Sequence, residues 1–366
     1  MSADDLSEVV RPASVEELAA ALRDTSGVVA VRGRGTKRRW GARPASHDIA
    51  VDLTGLDAIV AHDVGDLVVT VQAGVTLRAL QEQVGAHRQW LALDPPESDG
   101  TVGGTLATAN SGPRRLRFGT PRDLLLGVTV VLADGTIARS GGKVVKNVAG
   151  YDLGKLFTGS YGTLGVVAQA TLRLHPTFVA RRVVSVPTRA PWPLVHAVLT
   201  STATPTAIEW YDDTVHVLVE SSEAAVDAQA EQVAGLVGGS VGADVPPGFA
   251  DRPGGGAMLL KLTFRLSALD DVIAAVRTRL PSATLRAHAG GGVLWASAPP
   301  DADAVAELRD VVAAYDGTGV VVDAPDDVKA TLDAWGPVRG LAVMQRVKEQ
   351  FDPQHRMNAG VFVGGI

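Results

Sequence analysis

Apolar residues recur at helical intervals just after Ser14, where Leu18, Ala21 and Leu22 fall on one face of a helix predicted over 15–23. Ser14-Val15-Glu16-Glu17 has capping-box spacing, so hydroxyl and carboxylate can satisfy the free amides of the first turn. Gly27 ends that stretch, and the apolar run at 28–31 reads as a short buried strand. Strands are also predicted at 49–53 and 67–71, followed by a helix opened by Thr76 with Leu77, Leu80 and Val84 along one face. Residues 127–132 and 136–138 flank Ala133-Asp134-Gly135, a hairpin turn signal, and 166–174 alternates as a half-buried strand should.

After His175-Pro176 the texture changes. Strands at 183–186, 207–210, 215–219, 258–264, 284–287 and 292–297 interleave with helices at 193–199, 223–236, 269–280 and 301–315. The Gly/Pro-rich span 245–256 reads as a loop. Two rounds of strand, helix and strand predict an antiparallel sheet with helices on one face, a ferredoxin-like α+β unit. The tail is read as a helix from Met344, then Phe351-Asp352-Pro353 and an extended end.

Composition narrows the chemistry. At 366 residues the chain exceeds the size at which single cores usually split, so two domains are expected, divided near residue 176. There is no cysteine, which excludes disulfides and any iron–sulfur cluster held by this chain. The net charge of −6 and the lack of a basic run argue against nucleic acid as a partner. The acidic start, Met1-Ser2-Ala3-Asp4-Asp5, has no basic n-region, and no apolar run approaches the ~20 residues of a membrane span. A cytoplasmic protein is expected, peripheral to a membrane only through partners.

The 40 glycines are unevenly spread, and three segments of the first half are rich in them. The first is Arg32-Gly33-Arg34-Gly35-Thr36, extending to Gly41 directly after a strand. Successive amides in such a loop form an anion-binding nest, with the Thr36 hydroxyl as a further donor, although strand–Gly–x–Gly is also an ordinary turn. The dinucleotide fingerprint G-x-G-x-x-G is excluded, because Arg38 occupies the third glycine position and 37–44 makes a poor helix start. The second segment lies in 94–119, a stretch too long for an idle connection. From Gly103 to Gly112 nearly every residue is small, which suits a flat or extended cofactor lying against backbone. The third segment includes Lys143, Lys146 and Gly159-Ser160-Tyr161-Gly162-Thr163-Leu164-Gly165-Val166. Lys143 and Lys146 are the candidate catalytic cations, able to stabilise negative charge on a reduced cofactor, with surface solvation as their alternative role.

In this order and spacing the three segments resemble the PCMH-type FAD-binding domain of the vanillyl-alcohol oxidase/para-cresol methylhydroxylase flavoproteins. Gly-Lys-x-x-Lys-Asn-x-x-Gly-Tyr-Asp-Leu at 142–153 and Phe-Asp-Pro-x4-Asn at 351–358 are similar to the glycolate oxidase and D-lactate dehydrogenase branch. The resemblance implies an FAD domain of two α+β subdomains over 1–176. It also implies a ferredoxin-like cap over 177–343 and a tail, 344–366, returning to the FAD domain. Arg32, Gly33, Arg34, Gly35 and Thr36 would cradle the pyrophosphate. Asp99, Gly100, Thr101, Val102, Gly103, Gly104, Thr108 and Gly112 would form the second contact set, and Gly162, Val166 and Val167 the third. No His occurs at 32–41, so the flavin is expected to be non-covalent.

Catalytic members of that branch have His-x-Gly-Asp-Gly-Asn-x-His in the cap, where the histidines help hold a metal. Here the run is His288-Ala289-Gly290-Gly291-Gly292-Val293-Leu294-Trp295, so His288 alone is left and no metal is expected. Tyr161 stands where the family has Glu. These departures are similar to the FAD-binding subunit of a glycolate oxidase complex. That similarity implies a catalytic FAD- and metal-bearing partner, an iron–sulfur partner and a small 2-hydroxy-acid substrate such as glycolate, oxidised to glyoxylate. A stand-alone FAD-dependent alcohol oxidoreductase and an assembly subunit that merely retains the FAD fold are the alternatives.

Overall fold

The computed structural model describes residues 8–142 and 153–366, so Lys143, Lys146 and most of the 142–153 motif lie outside the described residues. Strand β1 (Glu8–Val10), helix α1 (Val15–Asp24) and strands β2 (Val29–Arg32) and β3 (Ile49–Asp52) form the first unit, a parallel sheet of order β1-β3-β2. The Ser14 hydroxyl accepts from the Glu17 amide at 3.1 Å, while the Glu17 carboxylate reaches one residue further back than a capping box requires, to the Ala13 amide. Leu18 and Leu22 are fully buried on the face the periodicity marked.

The second unit is an antiparallel sheet of β4 (Ile59–Asp63), β5 (Val68–Gln72), β6 (Leu125–Val131), β7 (Ile137–Gly141) and β8 (Val166–Arg173), ordered β4-β5-β8-β6-β7. Helices α2 (Leu77–Gly85) and α3 (Val102–Ala107) share its apolar core through Leu80, Val84, Val102 and Leu106. The hairpin between β6 and β7 turns at Asp134, whose carboxylate accepts from the Thr136 amide, and at Gly135, with φ +82°. Sequence patterning does not mark β4. It is a short edge strand with Val60 exposed, and it lacks the alternation that a half-buried strand shows.

The 94–119 stretch, read as structureless from its composition, is partly helical. Thr101 caps α3 by accepting from the Gly104 amide at 3.1 Å, and burial of Val102 and Leu106 stabilises a turn that two glycines disfavour.

The third unit is an eight-stranded antiparallel sheet, where the sequence predicted one ferredoxin-like round. Its strands are β9 (Ala180–Pro187), β10 (Ala207–Tyr211), β11 (Thr214–Ser221), β12 (Ser240–Gly242), β13 (Met258–Thr263), β14 (Thr284–His288), β15 (Val293–Ala298) and β16 (Thr318–Asp323). The order β12-β9-β11-β10-β14-β15-β13-β16 divides into two βαββαβ rounds, each with its own pair of helices. The first round has α4 (Trp192–Leu199) and α5 (Glu223–Val237), and the second α6 (Leu269–Arg279) and α7 (Ala302–Ala313). They join edge to edge where β10 pairs β14, with Glu209 opposite His288 and Trp210 opposite Ala287. The helices bury one face of the sheet, through residues such as Leu260, Leu294, Ile273 and Leu308.

Helix α8 (Leu341–Phe351) leads the tail back to the N-terminal sheets. The buried Lys348 ammonium donates to Asp352 at 2.7 Å and to the Thr163 carbonyl at 2.8 Å. The Arg356 guanidinium donates to the carbonyls of Leu22, Thr25, Gly27 and Ala133. Among the described residues no helix is long and apolar enough to cross a membrane.

Candidate functional site

The loop leaving β2 turns at Gly33-Arg34-Gly35 and does not enter a helix. Gly35 has φ +75° with open space where a Cβ would stand, so backbone conformation, and not crowding, selects glycine there. At Gly33 a Cβ would fall 2.4 Å from Thr101 Oγ1, which lets the loop lie directly on the start of α3. The amides of Arg34, Gly35, Thr36 and Lys37 have no acceptor among the described residues. Four successive amides left open by a glycine loop are available as donors to an anion.

These amides open into a cleft walled by α3, the turn at 160–162 and the start of β8. Arg32, Gly33, Arg34, Gly35, Thr36, Thr101, Gly103, Gly104, Thr108, Gly162, Val166 and Val167 all line it, so the three segments of the sequence converge there. Asp99, Gly100, Val102 and Gly112 do not line it. Asp99 pairs with Arg78 at 2.9 Å on the surface, and Val102 is in the core. Gly100 packs against Lys37 and Glu97, and Gly112 against the Asp94 backbone.

The lining includes Arg32, Arg34, Lys37 and Arg38 and no carboxylate, which suits a polyanion. Lys37 is held below its ordinary pKa by burial, offset in part by Glu97. Lys37 and Trp40, to which the sequence pattern gives no role, line the cleft, as do Tyr161 of the third segment and Asn358, the last residue of the tail motif. Asn358 accepts from the Val31 amide and donates to the Tyr161 carbonyl, each at 2.7 Å, tying the first loop to the third. Burial pushes the Tyr161 phenol up, and its ring sits 5.0 Å from Trp335 and 5.6 Å from Phe362.

The mouth of the cleft meets the sheet face that the helices leave uncovered. Trp40 and Tyr161 pack there against Val293, Trp295 and Val322. Cross-strand partners share a face, and on this one a polar strip runs among apolar residues such as Val293 and Val320. Lys261 lies opposite Trp295 and Trp295 opposite Arg286, while His288 lies opposite Glu209 and Glu209 opposite His216. His288 Nδ1 is 2.9 Å from both Glu209 carboxylate oxygens, and both residues are buried. Burial drives the Glu209 carboxyl up, and burial with Arg252, Arg115 and Lys261 drives the His288 imidazole down. Burial and the two arginines also bring Lys261 down to about 8.

Residues 7–141 match a family model described as an FAD binding domain. Over 182 residues the chain is 37% identical to a D-lactate dehydrogenase of Archaeoglobus fulgidus, covering 49% of this chain and 41% of that protein. It is 36% identical over 172 residues to glycolate oxidase subunit GlcD of Bacillus subtilis, 46% of this chain and 37% of that one. With glycolate oxidase subunit GlcE of Escherichia coli the identity is 35% over 166 residues, 45% of this chain and 47% of that one. The matched stretch thus spans less than half the length of each of these relatives. A solved alkyldihydroxyacetonephosphate synthase shares the fold, with TM-score 0.70 and 18% identity over 96% of this chain and 76% of that one. The fold is therefore α+β, with a PCMH-type FAD-binding domain whose cofactor is FAD.

Proposed function

We propose, for a chain whose N-terminal sheets form an FAD-binding domain, that it is the FAD-binding subunit of a multi-subunit oxidoreductase acting on 2-hydroxy acids such as glycolate. In this reading residues 1–176 bind FAD non-covalently, 177–343 cap the substrate side and 344–366 return to brace the flavin loops. The observation that carries it is the seating of the cap's helix-free sheet face over the mouth of the nest-lined cleft, through Trp40, Tyr161 and Trp295. The similarity to glycolate oxidase subunits and a D-lactate dehydrogenase supports the substrate class.

Each part of the chain has a distinct task. The amides of Arg34–Lys37 and the Thr36 hydroxyl hold the pyrophosphate. The small surface of Gly103, Gly104 and Ala107 lets the cofactor lie against α3. Bound there, FAD supplies a two-electron acceptor for the hydride of the substrate's carbinol carbon. The cap excludes water from that contact. With no cysteine in the chain, onward electron transfer through iron–sulfur centres requires a partner subunit, alongside a second FAD subunit that holds a metal.

Anaerobic mixing of the flavin-loaded protein with glycolate and with D-lactate tests this reading. The flavin band should bleach when the co-purified partner subunits are present. No bleaching with any partner or either acid would overturn it.

A further inference from the structure

The branch this chain resembles places a metal at the His288 position, and the residues here do not fit one. Among the described residues no group of three or more His, Cys, Asp or Glu side chains could hold a metal ion. What surrounds His288 is cationic. Arg252, Arg115, Lys261 and Arg286 all act on it electrostatically, and each disfavours a further positive charge. A divalent cation entering this space would be repelled from several sides.

The same cluster carries donors suited to an anion. Arg252 stacks over the Trp295 ring at 3.8 Å, and the Lys261 ammonium lies 5.4 Å from that ring. Trp295 is 5% exposed and His288 6% exposed, yet the Trp295 indole N–H and His288 Nε2 have no hydrogen-bond partner among the described residues. Arg252 Nε is likewise unsatisfied, with the Glu97 carboxylate 3.6 Å away. Nearby carboxylates are largely committed. Glu209 binds His288, Glu97 accepts from Asn110 at 2.6 Å and is the ion-pair partner of Arg252, whose terminal nitrogen donates to Asn110, and Asp94 and Glu220 pair with Arg114. Buried cations beside orphaned polar atoms are costly unless a ligand completes them.

We propose that Lys261, Arg252 and the Trp295 indole N–H form a metal-free site for a small carboxylate, with His288 Nε2 bonding a second oxygen of the same ligand. Arg115 adds long-range attraction from the N-terminal side. The site adjoins the flavin cleft through Trp40, whose ring lies 5.8 Å from the Arg252 guanidinium. As the anchor of a 2-hydroxy acid this inference rests on the proposed function. As an anion site it stands by itself.

The test is a titration of the flavin-loaded protein with oxalate, a carboxylate the flavin does not oxidise, in excess EDTA, followed by calorimetry and flavin difference spectra. Wild type should bind oxalate with EDTA present. Lys261→Met and Arg252→Met should each weaken binding by about ten-fold or more, as truncation of one partner of a buried charge pair does. Lys261→Arg should keep affinity within about three-fold of wild type, and Trp295→Phe, which keeps the ring and removes one N–H, should weaken it by about three-fold or more. Flavin content and melting temperature identify any variant that fails to fold, and Trp295→Phe then decides the matter, since it leaves every charge in place. Binding that needs added divalent metal, binding unchanged in all three weakening variants, or no oxalate binding by flavin-loaded wild type would each overturn the site. Lysine-dependent oxalate binding without hydroxy-acid oxidation by any assembly would leave the anion site standing and remove the oxidation reading.

Discussion

Asn358 donates a 2.7 Å hydrogen bond to the Tyr161 carbonyl, across 197 positions of sequence, while its Oδ1 accepts from the Val31 amide. Its own backbone is left-handed at φ +43°, a conformation asparagine tolerates better than most residues. The pair ties the first glycine loop to the turn at Gly162, two sides of the cleft proposed to hold the flavin. Asn358→Leu should therefore lower FAD affinity by about ten-fold or more, since two half-buried backbone groups lose their partner and the loops lose their tie. Asn358→Asp, which keeps the acceptor and loses the donor, should fall between. Fluorescence titration of the apoprotein with FAD measures both.

Arg114 joins the N-terminal sheets to the cap. Its guanidinium bonds Asp94 at 3.0 Å and Glu220 at 2.7 Å, with all three side chains largely buried. Arg114→Met would leave two uncompensated carboxylates and should destabilise the protein by about 3–5 kcal/mol at pH 7. Burial already holds the Asp94 pKa above its ordinary value with Arg114 in place, and removing the Arg114 charge raises it further. The penalty is then full at neutral pH and shrinks as pH falls toward the carboxylate range. Urea unfolding at pH 7 and pH 5 should show that narrowing.

The first loop has no histidine between Arg32 and Gly41, so no covalent flavin link is expected at that loop. Acid or heat precipitation should release all of the flavin into the supernatant. Yellow colour staying with the pellet would show a covalent link.

Lys261 is held down to about 8 by burial and by Arg115 and Arg252. Oxalate affinity should therefore be near constant below that pH and fall as pH rises through it, because the neutral amine no longer attracts the carboxylate. Lys261→Arg should remove the fall up to about pH 10, since guanidinium stays protonated. Calorimetric titrations at several pH values check both curves.

Local signals carried much of the fold. Ser14, Thr76 and the Asp134-Gly135 turn each announce an element that forms where the pattern places it. The helix after Thr101 was hidden because Gly103 and Gly104 mask its apolar pair, and only tertiary burial of Val102 and Leu106 makes it helical. The doubling of the ferredoxin-like round hinges on β10 meeting β14, a long-range pairing that no local pattern encodes. The glycine segments were legible as a site because amide nests need glycine. Lys37 was not, because a surface-type lysine shows its place only once a remote loop lies against it, and Asn358 was visible as the end of the tail motif but not as a cleft residue. Lys261 and Arg252 likewise acquire meaning only from register, which brings Lys261 opposite Trp295.

Gly103 and Gly104 separate folding from flavin binding. A Cβ at Gly103 would fall 2.7 Å from Ala73 Cβ, so substitution there disturbs the packing of α3. At Gly104 the one near atom is Thr101 Oγ1 at 3.2 Å, and the position faces the cleft. The most direct measurement is the FAD content and apoprotein melting temperature of Gly104→Ile beside wild type. Wild type should hold one FAD per chain, and the variant should lose it while its apoprotein melts within about 4 °C of wild-type apoprotein, a shift worth no more than roughly 1–2 kcal/mol. A variant that keeps a full complement of FAD would contradict the placement of the cofactor in this cleft.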